Sequence, residues 1–253
     1  MKDSSDSNTN QNQQRVQGGQ NVYGASVGIL MLDTAFPRIP GDIGNAQTWP
    51  FPVHYKIVRG ASVKKVIGKD ADELVAAFVE AAEELISMGA QGITTSCGFM
   101  SLFQKELAAA INVPVASSSL IQVPMVQHLL PPSQKVGILT VSQQSLTLAH
   151  LSAVGASLET PIMGTDEGVE FSRVFVNNET SMDLTLIKQD IIDAGKALKA
   201  KCPELGAVVM ECTNMAPYAN LLQRELGVPV YSIYSLIRWF QSGLVPTVFP
   251  SPH

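Results

Sequence analysis

Apolar and polar positions alternate along the chain in blocks: short unbroken apolar runs, each followed by a longer stretch with helical spacing. Val27-Gly28-Ile29-Leu30-Met31-Leu32 is the first run, closed by Asp33-Thr34. A run without alternation is what a parallel strand covered on both faces requires. The following three dozen residues read as irregular, because Pro37, Pro40, Pro50 and Pro52 forbid a regular helix. Their aromatic and apolar content predicts an ordered loop over the C-terminal edge of a sheet, with residues 53–58 as a short extended piece inside it. Residues 70–88 read as a helix, with Leu74, Ala77, Phe78, Ala81, Leu85 and Met88 on one face and Gly89 past the end. A strand from Gly92, a helix over 99–111, a strand over 113–116 and a helix over 120–130 follow, the last in spite of Pro124. Pro131-Pro132 then marks a joint.

Beyond the joint the pattern restarts. Gly137-Ile138-Leu139 copies Gly28-Ile29-Leu30 at the head of a strand over 136–142. A helix is expected over 145–154, a strand over 157–163, a polar loop over 164–180, and a long helix over 182–201. Val208-Val209-Met210-Glu211-Cys212-Thr213-Asn214 then repeats Gly92-Ile93-Thr94-Thr95-Ser96-Cys97-Gly98: apolar run, polar residue, cysteine, small residue, helix. Proline follows the cysteine 17 residues later in both copies, inside Val113-Pro114-Val115 and Val228-Pro229-Val230. Helices over 216–226 and 235–243 flank the last strand. Strands alternating with helices predict an α/β fold of two pseudo-twofold-related, Rossmann-like or flavodoxin-like parallel-sheet domains. The expected division is 22–119 with about 236–250 in the first domain and 120–235 in the second, the site lying between them at the strands' C-terminal ends.

Composition narrows the field. The chain has 253 residues, 45% of them hydrophobic, enough for one large or two small cores. Its charged fraction is 15% and its net charge −5, with no basic run, which argues against a nucleic-acid surface. No apolar stretch reaches membrane-spanning length. Three cysteines in a chain this long speak against a disulfide scaffold and for a reducing, cytoplasmic setting. Residues 1–21 are polar, lack the apolar core of a secretory signal, and read as a disordered tail.

The chemistry is carried by Cys97 and Cys212. A thiol at a strand-to-helix junction meets free backbone amides and the positive end of a helix dipole. Lowering a thiol from about 8.5 to about 7 takes roughly 2 kcal/mol, and a helix terminus supplies only about 0.3–1 kcal/mol. Further donors are therefore required, and Ser96, Thr95, the Gly98 amide, Thr213 and Asn214 are at hand. Two thiols flanking one ligand are expected to hold one proton between them, a base on one face of a carbon and an acid on the other. A cysteine ending a buried strand is most often a plain core residue; two at matching positions of an internal repeat favour function. Cys202 has no repeat partner and is taken as incidental.

Other candidates are weaker. Asp33 ends the first strand near Cys97, as a partner to the thiol or as a turn residue. Glu211 either tunes Cys212 or, by strand alternation, turns away. Ser117, Ser118, Thr140 and Ser142 follow strands and are candidates to bind a carboxylate, or are turn formers. Arg38 is the cation of the long loop, bound to substrate or to water. His54, His128, His150 and His253 show no metal-ligand spacing, and no Gly-rich nucleotide loop is present.

On Leu32-Asp33-Thr34, Thr95-Ser96-Cys97-Gly98, Val113-Pro114-Val115 and Glu211-Cys212-Thr213-Asn214, the chain resembles the aspartate/glutamate racemase superfamily over most of residues 24–245. The resemblance implies two pseudo-twofold α/β domains, no cofactor, a Cys97/Cys212 acid–base pair assisted by Asp33, a small carboxylate substrate, and a homo-oligomer such as the dimers common among similar enzymes. Asn214 stands where the glutamate racemases carry a histidine, which disfavours glutamate. Pro40-Gly41-Asp42-Ile43, Cys97-Gly98-Phe99-Met100 and Ser118-Ser119-Leu120-Ile121-Gln122 are similar to the branch containing the algal dimethylsulfoniopropionate lyases, which remove an α-proton and expel dimethyl sulfide. The expectation is a cofactor-independent racemase or epimerase, with β-elimination as the alternative and a non-catalytic carboxylate-binding protein as the second.

Overall fold

A computed structural model of the chain describes residues 16–68 and 71–251. Most of the expected tail over 1–21 lies outside the described residues; 16–21 are exposed and carry no helix or strand. Asp70, the expected helix start, and His253 also lie outside them.

The first half runs β1 (Val27–Leu32), β2 (Val53–Val58), α1 (Val63–Ile67), α2 (Val75–Ser87), β3 (Gly92–Thr95), α3 (Gln104–Ala110), β4 (Val115–Ala116) and α4 (Gln122–Leu129). The second runs β5 (Lys135–Thr140), α5 (Leu148–Ala153), β6 (Ile162–Gly164), α6 (Phe171–Asn177), α7 (Leu184–Lys201), β7 (Leu205–Met210), α8 (Ala219–Leu226), β8 (Val230–Tyr231) and α9 (Ile233–Leu244). Each half holds one four-stranded parallel sheet, ordered β2-β1-β3-β4 and β6-β5-β7-β8. The two orders are the same order read twice, so the duplication read from the cysteine motifs is also a duplication of topology.

Burial explains the strands. All six residues of β1 and all six of β7 are buried, as strands covered on both faces demand. The paired glycines of the repeat have a shared reason. A Cβ on Gly28 would meet Ile93 at 2.8 Å, and one on Gly137 would meet Leu205 at 2.7 Å. In both sheets a large neighbour fills the space above the strand. Helix α2 turns Phe78, Ala81, Ala82 and Leu85 inward, and α7 starts where the Asp183 carboxylate accepts the amides of Thr185 and Leu186.

The halves exchange their last helices. Helix α4 follows β4 but packs on β5 and β7. Helix α9 follows β8, and its Ile233, Leu236 and Ile237 share a core with Val27, Ile29 and Met31 of the first sheet. One large apolar core meanwhile runs from Leu30 and Phe78 through Phe99 to Ile138, Phe171 and Val209, crossing from one half to the other.

The structure corrects three readings. Residues 53–58 form a full sheet strand, paired with β1 along its whole length, rather than a piece of loop. Residues 164–180 are not all loop: Phe171, Val174 and Phe175, spaced for one helix face, bury to form α6, and Asn178 ends it in the left-handed conformation. The expected strand over 157–163 shrinks to the three residues of β6. Among the described residues no helix is long and apolar enough to cross a membrane.

Candidate active site

Both cysteines sit two residues beyond the end of a central strand. β3 ends at Thr95 and the chain continues through Ser96 and Cys97 into a 3-10 turn over Gly98–Phe103. β7 ends at Met210 and continues through Glu211 and Cys212 into a 3-10 turn over Thr213–Tyr218. Each cysteine keeps extended backbone and caps its turn. The turns are stitched across the seam: Thr213 Oγ1 donates to the Ser96 carbonyl at 2.8 Å, and Ser119 Oγ donates to the carbonyls of Met210 and Glu211 at 2.6 and 3.0 Å.

The two thiols open on one cavity. Cys97, Cys212, Ser96, Gly98, Thr213, Asn214 and Arg38 line it, with Glu211 and a wall of Leu32, Phe36, Phe99 and Phe175. It encloses only about 30 Å³, room for one or two waters. Each cysteine is 8% exposed. A larger hollow of about 830 Å³ lies between the loop after β6 and α7, but no thiol lines it. The Asp190 carboxylate there is taken up by the amides of Val169, Glu170 and Phe171.

The roof is the long loop. Arg38 donates through one nitrogen to Asp42 at 2.7 Å and through another to Thr34 Oγ1 at 2.9 Å, and its guanidinium lies 4.6 Å from the centre of the Phe36 ring. Asp42 in turn accepts from Asn214 Nδ2 at 2.7 Å. The Asn214 Oδ1 lies 3.6 Å from the Cys212 sulfur, which donates to it. A chain of contacts thus runs Arg38, Asp42, Asn214, Cys212. Phe36 meets Phe175 edge-on at 4.9 Å, and the Ala35 amide donates to Asn178 Oδ1, so the roof is anchored on the second half.

Burial decides the electrostatics. It pushes the Cys97 thiol up to about 12, with Glu211 adding to the rise, although the amides of Phe99 and Met100 favour the charged sulfur. It raises Cys212 well above the ordinary thiol value too, again with Glu211 as the next cause and only the Asn214 amide opposing. This reverses the expectation that helix termini and neighbouring donors bring a thiol down. Desolvation of a buried anion outweighs the few partial charges present. Glu211 itself is pushed up to about 7 by burial, against the opposing hydrogen bond from Thr140.

Several expected residues fall outside the cavity. Asp33 is exposed, and its amide, donating to the Ala61 carbonyl, turns the chain away just past β1. Ser117 is committed to Gln104, and Ser118 caps the turn that leads into α4. Ser142 hydrogen-bonds Ser145 beside a neighbouring surface hollow. Thr140 reaches the site only through Glu211, to which its hydroxyl donates at 2.8 Å. Two residues matter more than their sequence context suggested. Strand alternation fails to turn Glu211 away, because it lies past the end of β7. Asp42 is a hub that joins near neighbours in its own loop, Arg38, Gly44 and Thr48, to the distant Asn214. Among the described residues no group of three or more His, Cys, Asp and Glu is placed to hold a metal ion.

The fold has counterparts of known structure. Unliganded arylmalonate decarboxylase superposes with a TM-score of 0.59 at 13% identity, over 90% of this chain and 96% of that one. Glutamate racemase isoform RacE1 from Bacillus anthracis does so with a TM-score of 0.57 at 14% identity, over 87% and 81%. At such identity the likeness is one of fold, which the chain shares with these two enzymes. Curated sequence relatives carry a lyase name. Dimethylsulfoniopropionate lyase of Durusdinium sp. clade D is 29% identical over 89% of this chain and 77% of its own length. Dimethylsulfoniopropionate lyase 5 of Emiliania huxleyi is 26% identical over 86% of this chain, which spans 45% of that longer relative. No protein-family model matches the chain.

Proposed function

We propose that this chain is a cofactor-independent racemase or epimerase of the aspartate/glutamate racemase superfamily that removes and returns the proton next to a small substrate's carboxylate. One observation carries the reading: thiols from matching corners of the repeat, Cys97 and Cys212, face a single enclosed cavity. Cys97 is the better base, since two amides favour its charged form where Cys212 has one amide and the neighbouring Asp42 carboxylate opposes it. Cys212, held by Asn214, is the acid that delivers a proton to the opposite face. Arg38 faces the substrate carboxylate from the roof. The cavity as it stands is too small for any substrate, so entry requires the roof to lift.

A second reading is β-elimination, in which the same carbanion expels a leaving group instead of regaining a proton. The lyase names of the sequence relatives favour it. So does the wall of Phe36, Phe99 and Phe175, which suits an apolar or sulfonium group better than an ammonium.

One experiment addresses both. In deuterated water with candidate carboxylates, racemisation puts deuterium at the α-carbon of recovered substrate, and elimination of a sulfonium acid releases a volatile sulfide. Cys97→Ser and Cys212→Ser are each expected to lower turnover by about 10²-fold or more. Full turnover in both variants on the true substrate would end the thiol mechanism.

A further inference from the structure

Glu211 is the one carboxylate lining the cavity, and its hydrogen bonding is incomplete. Oε2 accepts from Thr140 Oγ1, while Oε1 is fully buried with no partner. Its place is set by the two cysteine corners. Glu211 precedes Cys212, and its Oε1 presses so close to Gly98, the residue after Cys97, that a Cβ there would lie 2.0 Å away. The free oxygen is therefore wedged between the backbones that carry both sulfurs. Among the described residues no cation pairs with it. Arg38, the cation lining the cavity, already serves Asp42 and Thr34. The titratable groups that feel its charge are the two thiols, and Cys212 also feels the Asp42 carboxylate; His150 packs edge-on to Phe99 of the cavity wall and Tyr218 lies near Asp42.

A buried carboxyl with one hydrogen bond and no counter-ion is costly to keep charged. The thiols beside it face the same penalty, and charging more than one of the three groups compounds it. The cluster therefore holds at most one negative charge, and the question is which atom carries it. We propose that Glu211 is the internal proton acceptor for the thiol pair: a sulfur becomes charged by passing its proton through one cavity water to Oε1, which has no thiol within direct hydrogen-bond reach, and the pocket's total charge does not change. The S–H bond breaks as the O–H bond forms, and the negative charge moves from carboxylate to sulfur. No proton need cross the closed cavity to solvent. Glu211 acts through the thiols and is a positioning residue for their charge. The inference rests on the proton-transfer reading above, but its test needs no substrate.

The test is the pH dependence of alkylation of Cys97 and Cys212 by iodoacetamide, each site read by peptide mass, in the full-length protein and in Glu211→Gln and Glu211→Asp. In the wild type the rate is expected to rise to about 7, where the cluster has released its one proton, and then level off, because further alkalinity no longer changes where that charge sits. Glu211→Gln should abolish the plateau and give a rate that climbs about tenfold per pH unit through the same range. Glu211→Asp should restore levelling. A Glu211→Gln curve that levels with the wild type, or no alkylation of either sulfur at any pH, overturns the proposal. If Glu211→Gln fails to fold, the infrared band of a protonated carboxyl decides in the wild type alone: it should vanish near 7, and its loss at the ordinary carboxylate pH would be equally fatal. Absence of deuterium exchange in the wild type would instead sink the proposed function and leave the alkylation result standing.

Discussion

Burial pushes the Cys97 thiol up to about 12, so a thiolate there is strongly disfavoured at neutral pH. That penalty is the central fact of the site at the scale of single residues. The cysteine pair could be recognised in the chain because an internal repeat marks both positions independently of their surroundings. The state of the thiols could not, because it depends on how completely the roof excludes water. Asp33 and Glu211 show the same limit from opposite sides. Each follows an apolar run, yet one turns to solvent and the other into the cavity, and only the path of the chain after the strand separates them. Glu211 also makes a prediction about stability. Its folded value of about 7 lies above its ordinary 4.5, so between those two the folded protein keeps a proton that the unfolded chain has lost. The stabilisation is complete below 4.5 and falls away as pH rises to about 7. The loss amounts to roughly 3 kcal/mol. Denaturant titrations at several pH values should show this decline in the wild type and lose that component in Glu211→Gln. Parallel curves for the two proteins would mean that Glu211 is charged throughout.

At the scale of elements, the apolar runs located β1, β3, β5 and β7, and the helical spacing located α2, α7 and α8, since each of these depends on a local period. The segment between β1 and α2 was harder. Its prolines hid β2, an edge strand that needs only its pairing with β1, and gave no hint of α1. Its fold is fixed by side chains instead. Asp42 binds Arg38, Asn214 and the Gly44 amide, and its carbonyl accepts from Thr48, so one residue ties the roof to itself and to the turn after Cys212. Asp42→Ala would strand a largely buried guanidinium and the Asn214 amide together. The expected cost is about 3 kcal/mol of unfolding free energy. Asp33→Ala, in the same loop but exposed, should change it by less than about 0.5 kcal/mol. Chemical denaturation of both variants checks the contrast, and equal losses would show that the roof is not organised around Asp42.

For the whole molecule, the duplication raises the question of whether the halves fold as two units or one. Pro131-Pro132 reads as a joint in the sequence, and each half has its own sheet. Three features bind them nonetheless. The main core runs without a break from Phe78 in the first half to Phe171 and Val209 in the second. Helices α4 and α9 each cover the sheet of the opposite half. The Cys212 corner is hydrogen-bonded to the first half across the seam, Thr213 donating to the Ser96 carbonyl and Ser119, after β4, donating to the Met210 carbonyl. Separating the halves would expose that shared core and orphan buried polar groups, so partly folded forms with one intact half are disfavoured against full unfolding. The placement of the tryptophans makes this testable. Trp49 is buried in the core of the first sheet, Trp239 lies on α9, which covers that same sheet, and no tryptophan lies in the core of the second sheet. Far-ultraviolet circular dichroism reports on both halves. Fluorescence and dichroism should therefore trace the same denaturant transition, with one midpoint and one slope. Two separated midpoints, dichroism persisting after the fluorescence change is complete, would mean that the second half stands alone. The site would then be assembled only when two independently stable units dock, rather than built into one cooperative structure.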